Sequence, residues 1–260
     1  MGTPAQSKVH QQIELRPRAT IFHAEGGWFS ANWHFSFDHY YDPANMGWGA
    51  LRVFNDDRLV PGVAWPMHPH RDIEGITYVA EGMFEHADSR GNGGILPPGS
   101  VQRVTLGSGM EHSERNHSKT EPMRFIQLWI LPARRGLEPS IEQRSFTTEE
   151  RRNVLRPVLI PAAGFVGSDA PAAAGAVTVH QDAAMYASLL DQSRTITHQF
   201  RPSFGGYLFL VHGEAAVAGP DGAGGVIDEG GAAKIGVVDQ IAVTARSQSA
   251  EILLVEVRLL

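Results

Sequence analysis

The chain has 260 residues, long for one average domain and comfortable for two. A hydrophobic content of 42% and a charged content of 19% are those of an ordinary soluble globular protein, and a formal charge of −6 without any basic block argues against nucleic acid as a partner. There is no cysteine, so disulfides, thiolate metal sites, iron–sulfur clusters and cysteine nucleophiles are excluded, and any bound metal must be held by nitrogen and oxygen.

Residues 1–12 are polar and lack the apolar stretch of a secretory signal. No apolar run reaches the roughly 18 residues that a membrane helix requires. A cytoplasmic protein with no membrane attachment is therefore expected. In chain order, Val53-Phe54 begins the series of short β-branched and aromatic runs that read as strands, and Asn55-Asp56-Asp57 reads as the turn after it. Gly75 to Val79 is the next strand, closed by Gly82. Turn signals follow at Asp88 to Gly94 and at Pro97-Pro98-Gly99. Phe125 to Ile130 is a further strand. Residues 132–153 are polar and charged and mark a boundary, giving an N-terminal domain over 1–136 and a C-terminal domain over 137–260. Within that stretch Thr147 to Asn153 is expected to form a short helix, with Thr147 as cap and Glu150 three residues on. Met185 to Leu190 is expected to be a second helix. Tyr207 to Val211 is a strand, and Gly219 to Gly222 a turn. Many short strands with regular turns predict an all-β sandwich or barrel with a few short helices.

Chemistry is concentrated in two short segments. His68-Pro69-His70 and His112-Ser113-Glu114 each place two metal-binding side chains at positions i and i+2. Such residues share one face of a strand, so two neighbouring strands carrying these pairs would line one four-ligand pocket. Pro69 cannot donate to a sheet ladder, which predicts an edge, an end or a bulge. Gly107-Ser108-Gly109 provides a tight turn just before His112. Glu74 shares strand parity with His68 and His70, and Glu114 with His112, so parity alone leaves the carboxylate open. His34 and His86 are the other histidines that could line the pocket or support it.

A faint repeat relates the halves. Tyr78-Val79-Ala80-Glu81-Gly82 matches the strand and glycine that end at Gly213. The same offset sets His68 and His70 against Gln199 and Arg201, and His112 and Glu114 against Val243 and Ala245. The second half contains no His-x-His and reads as a copy without metal ligands.

At these residues the chain resembles the pirins, a branch of the cupin superfamily. The similarity is carried by Gly62-x5-His68-x-His70-x3-Glu74-x7-Gly82 and by Gly107-Ser108-Gly109-Met110-Glu111-His112-x3-Asn116. His68-Pro69-His70-Arg71, Glu85-His86 and Pro98-Gly99-Ser100-Val101-Gln102 are similar to the family signature as well. The match is dense from about residue 20 to 132. It implies a bicupin, two stacked β-barrels with one metal in the first and a degenerate second cupin. It also implies His68, His70, His112 and Glu114 as the metal ligands, with Glu74 left as a pocket or supporting residue. The implied ion is divalent iron, although manganese, cobalt, nickel, copper and zinc suit the same donors. The implied activity is a quercetin 2,3-dioxygenase-like reaction. A flavonol gives up its 3-hydroxyl proton to Glu114 as catalytic base, and O₂ then opens the ring with loss of carbon monoxide. The alternative within the family is a metal- and redox-dependent binding protein that regulates a transcription factor or a metabolic enzyme. A small aromatic substrate, O₂ and a monomeric chain are expected, with room for a protein partner.

Overall fold

Backbone pairing sorts the strands into four sheets that form two matching sets. The structure, a computed structural model, describes residues 12–164 and 173–260. In the first half a seven-stranded sheet runs in the order Ser140–Ser145, Ser100–Thr105, Glu74–Glu81, Met123–Ile130, Leu51–Leu59, Phe29–Trp33 and Phe22–Glu25. It faces a four-stranded sheet, Ala64–His70, Met110–Asn116, Phe84–Asp88 and Gly93–Leu96. The second half repeats this plan. Its larger sheet runs Ile13–Arg16, Ala232–Ile235, Phe204–His212, Ser249–Arg258, Ala183–Asp191, Arg156–Pro161 and Val177–Val179. Its smaller one runs Thr195–Gln199, Gln240–Ala245, Glu214–Ala218 and Gly224–Asp228. The chain is thus an all-β bicupin of two stacked barrels. Among the described residues, no helix is long and apolar enough to cross a membrane.

The two larger sheets pack against each other. Tyr78, Ile126 and Leu128 from one meet Met185, Phe209 and Leu253 from the other in a single buried cluster. Because the opposite faces of these strands point into the barrels, the central strands are apolar on both sides and read as continuous hydrophobic runs. Charged groups pin the seam. Arg124, only 1% exposed, forks onto Asp56 at 2.7 and 2.9 Å and donates to the Val211 carbonyl at 2.7 Å. Arg151 donates to Glu251 at 2.6 Å, and the Tyr78 hydroxyl donates to the same carboxylate.

Two local expectations are corrected. Met185 to Leu190 lies within the strand Ala183–Asp191, not in a helix. Met185 and Ala187 face the seam while Ala184, Tyr186 and Leu190 face the barrel interior, and two-sided burial produces a run that periodicity cannot distinguish from a helix. Asn55, Asp56 and Asp57 form no turn and sit inside the strand Leu51–Leu59, all buried. Their polar side chains serve the seam and the first barrel's interior. The short helix is where it was expected: Thr148–Arg151, with a capping box in which Glu150 donates its N–H to Thr147 Oγ1 and accepts the Thr147 N–H.

Each half gives an edge strand to the other's neighbourhood in sequence. Ile13–Arg16 pairs with Ala232–Ile235 in the second sheet, and Ser140–Ser145 pairs with Ser100–Thr105 in the first. The division expected at 136/137 therefore falls just before a strand that pairs with the first half.

Pairing also fixes how the halves correspond. Gly82 and Gly213 both end a central strand with positive φ, 76° and 87°. Four positions later come His86, opposite Glu114, and Val217, opposite Val243. Glu114 therefore corresponds to Val243 and His112 to Ile241. Opposite these stand His68 and His198. The second half is thus displaced by two residues at the His112 strand, and by one at the His68 strand, from the register that a constant offset gives.

Candidate metal centre

The strand Ala64–His70 is an edge strand paired only with Met110–Asn116. This position tolerates Pro69 because no ladder bond is required of it. His68 lies directly opposite His112, and His70 opposite Met110. Along the partner strand, Met110, His112, Glu114 and Asn116 are buried while Glu111 and Arg115 are exposed, so the i, i+2 pattern aims His112 and Glu114 inward. The turn that starts this strand requires glycine. Gly107 has φ 39°, and a Cβ there would lie 1.9 Å from the Leu137 carbonyl oxygen.

The three imidazoles converge. Ring centroids are 4.6 Å apart for His68 and His112, 4.8 Å for His68 and His70, and 5.4 Å for His70 and His112. One nitrogen from each lies within 4.8 Å of the other two, and among the described residues no other His, Asp or Glu group meets that geometry. Glu114 lines the same cavity but stands outside this tight group. A bulge between His112 and Glu114, which leaves Glu114 opposite Trp65, accounts for the offset.

Hydrogen bonds and burial set the state of each donor. His68 Nδ1 lies 2.7 Å from the Pro66 carbonyl, so Nδ1 carries the proton and Nε2 is left with a lone pair. Burial, reinforced by neighbouring His68, lowers His70 to about 4. Burial and the other imidazoles lower His112 to about 3. Both rings are neutral at pH 7, the form that binds a metal. Burial raises Glu114 to about 7, opposed by a hydrogen bond from Gln127. Gln127 is itself oriented by Thr77, whose hydroxyl donates to Gln127 Oε1 at 2.9 Å and so turns the amide nitrogen toward Glu114.

Several buried polar atoms here have no hydrogen-bond partner among the described residues: both nitrogens of His112, Glu114 Oε1, and His86 Nε2, which lies 3.9 Å from Asp88. Unpartnered buried polar groups are costly. Four such atoms around three converging imidazoles fit a divalent metal ion with nitrogen and oxygen donors.

Glu74 and His34 lie elsewhere. Glu74 accepts from the Thr105 hydroxyl at 2.7 Å and from the backbone and ring of His180, at 2.5 and 2.8 Å, across the seam. The parity that linked it to His70 fails because the chain turns between them, with Asp72 at φ 54°, and resumes in the other sheet. His34 is fully buried against Tyr207, 2.7 Å from its hydroxyl. Asn116 ties down loops through the Leu59, Val60 and Glu121 carbonyls. His86 does stand beside the centre, its ring 5.7 Å from that of His112. It closes a chain in which Gln143 donates to Gln102 at 2.7 Å and Gln102 meets His86 Nδ1 at 3.3 Å.

Asp57, read as a turn residue in the sequence, is part of this site. Its carboxyl lines the cavity and is held well above the usual carboxylate range, first by burial and then by Glu114 and Asp56. Its alternation with Val53 and Asn55 along the strand was the available signal. The cavity above the centre measures about 850 Å³, with Phe29, Trp33, Phe37, Trp65 and Trp129 on its walls. Trp129 packs edge-on against His70 at 4.8 Å.

Comparison with known proteins agrees with this arrangement. The Pirin family matches residues 14–130, and the quercetinase C-terminal cupin domain matches residues 166–257. The quercetin 2,3-dioxygenase of Escherichia coli K12 is 38% identical over 208 residues, covering 80% of this chain and 84% of that protein. A pirin-like protein of Caulobacter vibrioides is 38% identical over 217 residues, 82% of this chain and 90% of its own length. The crystal structure of the bacterial pirin YhhW from Escherichia coli in complex with nickel(II) superposes with a TM-score of 0.83 at 34% identity, covering 95% of this chain and 100% of that one.

Proposed function

The chain belongs to the pirin family, and on that premise we propose that it is a metal-dependent flavonol dioxygenase that uses divalent iron, O₂ and a quercetin-like substrate. The observation that carries this reading is the convergence of three imidazoles beside a buried carboxylate under an aromatic cavity of about 850 Å³. His68, His70, His112 and Glu114 are the residues that would hold the ion. When bound, iron supplies a Lewis acid with redox capacity and open coordination positions. The protein's own groups do the rest. The aromatic walls stack a planar ring system and keep water from it. Glu114 takes the 3-hydroxyl proton. In the metal-free protein burial raises this carboxyl to about 7, and a bound ion would lower it. Gln127 holds the carboxylate while Oε1 remains without a protein partner. A cytoplasmic location belongs to the same proposal.

The test is O₂ uptake and carbon monoxide release by anaerobically purified, iron-loaded protein given quercetin. Equimolar O₂ consumption and CO release are expected, with loss of both in Glu114→Gln at retained fold. A metal-loaded protein that binds quercetin without consuming O₂ would overturn the enzymatic reading and leave a metal-dependent binding protein.

A further inference from the structure

Arg52 stands out in the aromatic cavity. It lines the same space as His70, Trp129 and Glu114, half-buried, and among the described residues it forms an ion pair with no carboxylate. Its one hydrogen bond is from Nη1 to the Ser36 carbonyl at 2.8 Å. That contact orients the guanidinium and leaves its other donors unspent. Asp38 and His39, which also line the cavity, are both exposed and lie 2.9 Å from each other.

The backbone is built to aim Arg52. The strand Leu51–Leu59 pairs with Met123–Ile130 in constant register from Met123 opposite Leu59 to Trp129 opposite Val53. Ile130 then stands opposite Leu51. Arg52 is thus the extra residue of a β-bulge, a device that redirects a side chain and is enriched beside active sites. Without it, alternation would turn Arg52 to the side opposite Val53, Asn55 and Asp57. The corresponding strands of the second barrel keep one register throughout, from Ala183 opposite Val257 to Asp191 opposite Ser249. The bulge belongs to the barrel with the cavity.

Arg52 also lies far from the acidic end. Asp57 is five residues along the same strand, a separation of about 17 Å at ~3.4 Å per residue. The Asp57 and Glu114 carboxyls thus lie toward one end of the cavity, and Arg52 stands beside Val53 and its partner Trp129, the ring that packs on His70. We propose that Arg52 determines specificity for planar aromatic ligands that carry an anionic substituent, such as a carboxylate, in addition to the oxygens that chelate the metal. This rests on the aromatic-ligand reading of the cavity given above.

The experiment measures binding alone. Zinc-loaded protein under nitrogen is titrated with 3-hydroxyflavone and with its 4′-carboxy and 7-carboxy derivatives, followed by quenching of tryptophan fluorescence. The two derivatives test both possible orientations of the ring system. One of them is expected to bind about tenfold or more tightly than the parent, as a charge-assisted bond in a partly buried site does. Arg52→Ala should bring that derivative down to the parent's affinity, and Arg52→Lys should recover part of the gain. Equal binding of all three probes by the natural chain, or a preference that survives in Arg52→Ala, would overturn the assignment while leaving the flavonol reading intact. No binding of any probe would overturn both. Loss of the parent flavone in Arg52→Ala at full zinc content would also sink it, because Arg52 would then merely brace the Ser36 loop.

Discussion

The two barrels share one strand plan but fill it differently. In the second, Leu208, Val217, Ile241, Val243 and Leu254 interdigitate in a continuous apolar interior. In the first, the apolar residues divide into smaller clusters, one around Phe84 and Phe125 and another around Val104, Leu106 and Met110, beside the cavity with its imidazoles and carboxyls among aromatic walls. The difference comes down to a few matched positions. His112 and Glu114 correspond to Ile241 and Val243, and His70 to Phe200. His68 alone has a histidine counterpart, His198. That ring makes no metal cluster. It lies 3.0 Å from the fully buried Glu256, which also accepts from Arg201 Nε at 2.9 Å. One frame thus serves as an open donor set in one barrel and as a closed ion pair in the other.

The largest expected effect breaks the comparison at its centre. His112→Ala should abolish tight metal binding, with metal content after anaerobic purification and dialysis falling from about one equivalent to under about a tenth. His198→Ala, its counterpart test, should leave metal content unchanged. Because it removes one hydrogen-bond partner from a buried carboxylate that keeps Arg201, it should lower unfolding free energy by about 1 kcal/mol in urea titrations. Equal metal loss in both variants would mean that the barrels are not functionally distinct.

A third expectation concerns protons. Glu114 at about 7 is mostly protonated at pH 6, whereas His70 at about 4 and His112 at about 3 are already neutral there. Zinc binding at pH 6 should therefore release about one proton from Glu114, and at pH 8 almost none from it. The sign follows: metal affinity falls as pH drops through about 7. Calorimetry in buffers of different ionisation enthalpy measures this directly, and Glu114→Gln should lower the release at pH 6 by about that one proton. Absence of release in the natural chain would remove Glu114 from the ligand set. The smallest effect is expected from Thr77→Val. Loss of the bond that orients Gln127 should weaken the stabilisation of the Glu114 carboxylate by about 1 kcal/mol, moving the midpoint of proton release upward by less than one pH unit. A downward shift would contradict the role given to Gln127.

Much of this was legible in the sequence. The i, i+2 spacing of His68 with His70, and of His112 with Glu114, survives in the structure because one strand's alternation is fixed by pleating whatever surrounds it. The Gly107 turn was legible because few other residues could occupy it. Relations between strands were harder to read. Glu74 has the right parity but belongs to the other sheet. Asp56 and Asp57 look like turn residues because their partners, Arg124 and Glu114, lie 68 and 57 positions away. Met185 to Leu190 resembles a helix because burial on two faces removes the alternation that marks a strand. The Arg52 bulge depends on a register that only the paired strand reveals.

The exchange of edge strands has a consequence for how the protein is made. Ile13–Arg16 finds its ladder partner only in Ala232–Ile235, near the other end of the chain. At roughly 5–20 residues per second of synthesis, the early strand must wait on the order of 10–40 s for that partner to emerge. The first barrel does not face this delay, since Ser140–Ser145 follows soon after Ser100–Thr105. The metal-binding half can thus mature while its companion is still being translated, and Ile13–Arg16 has no such ladder until about nine-tenths of the chain has appeared.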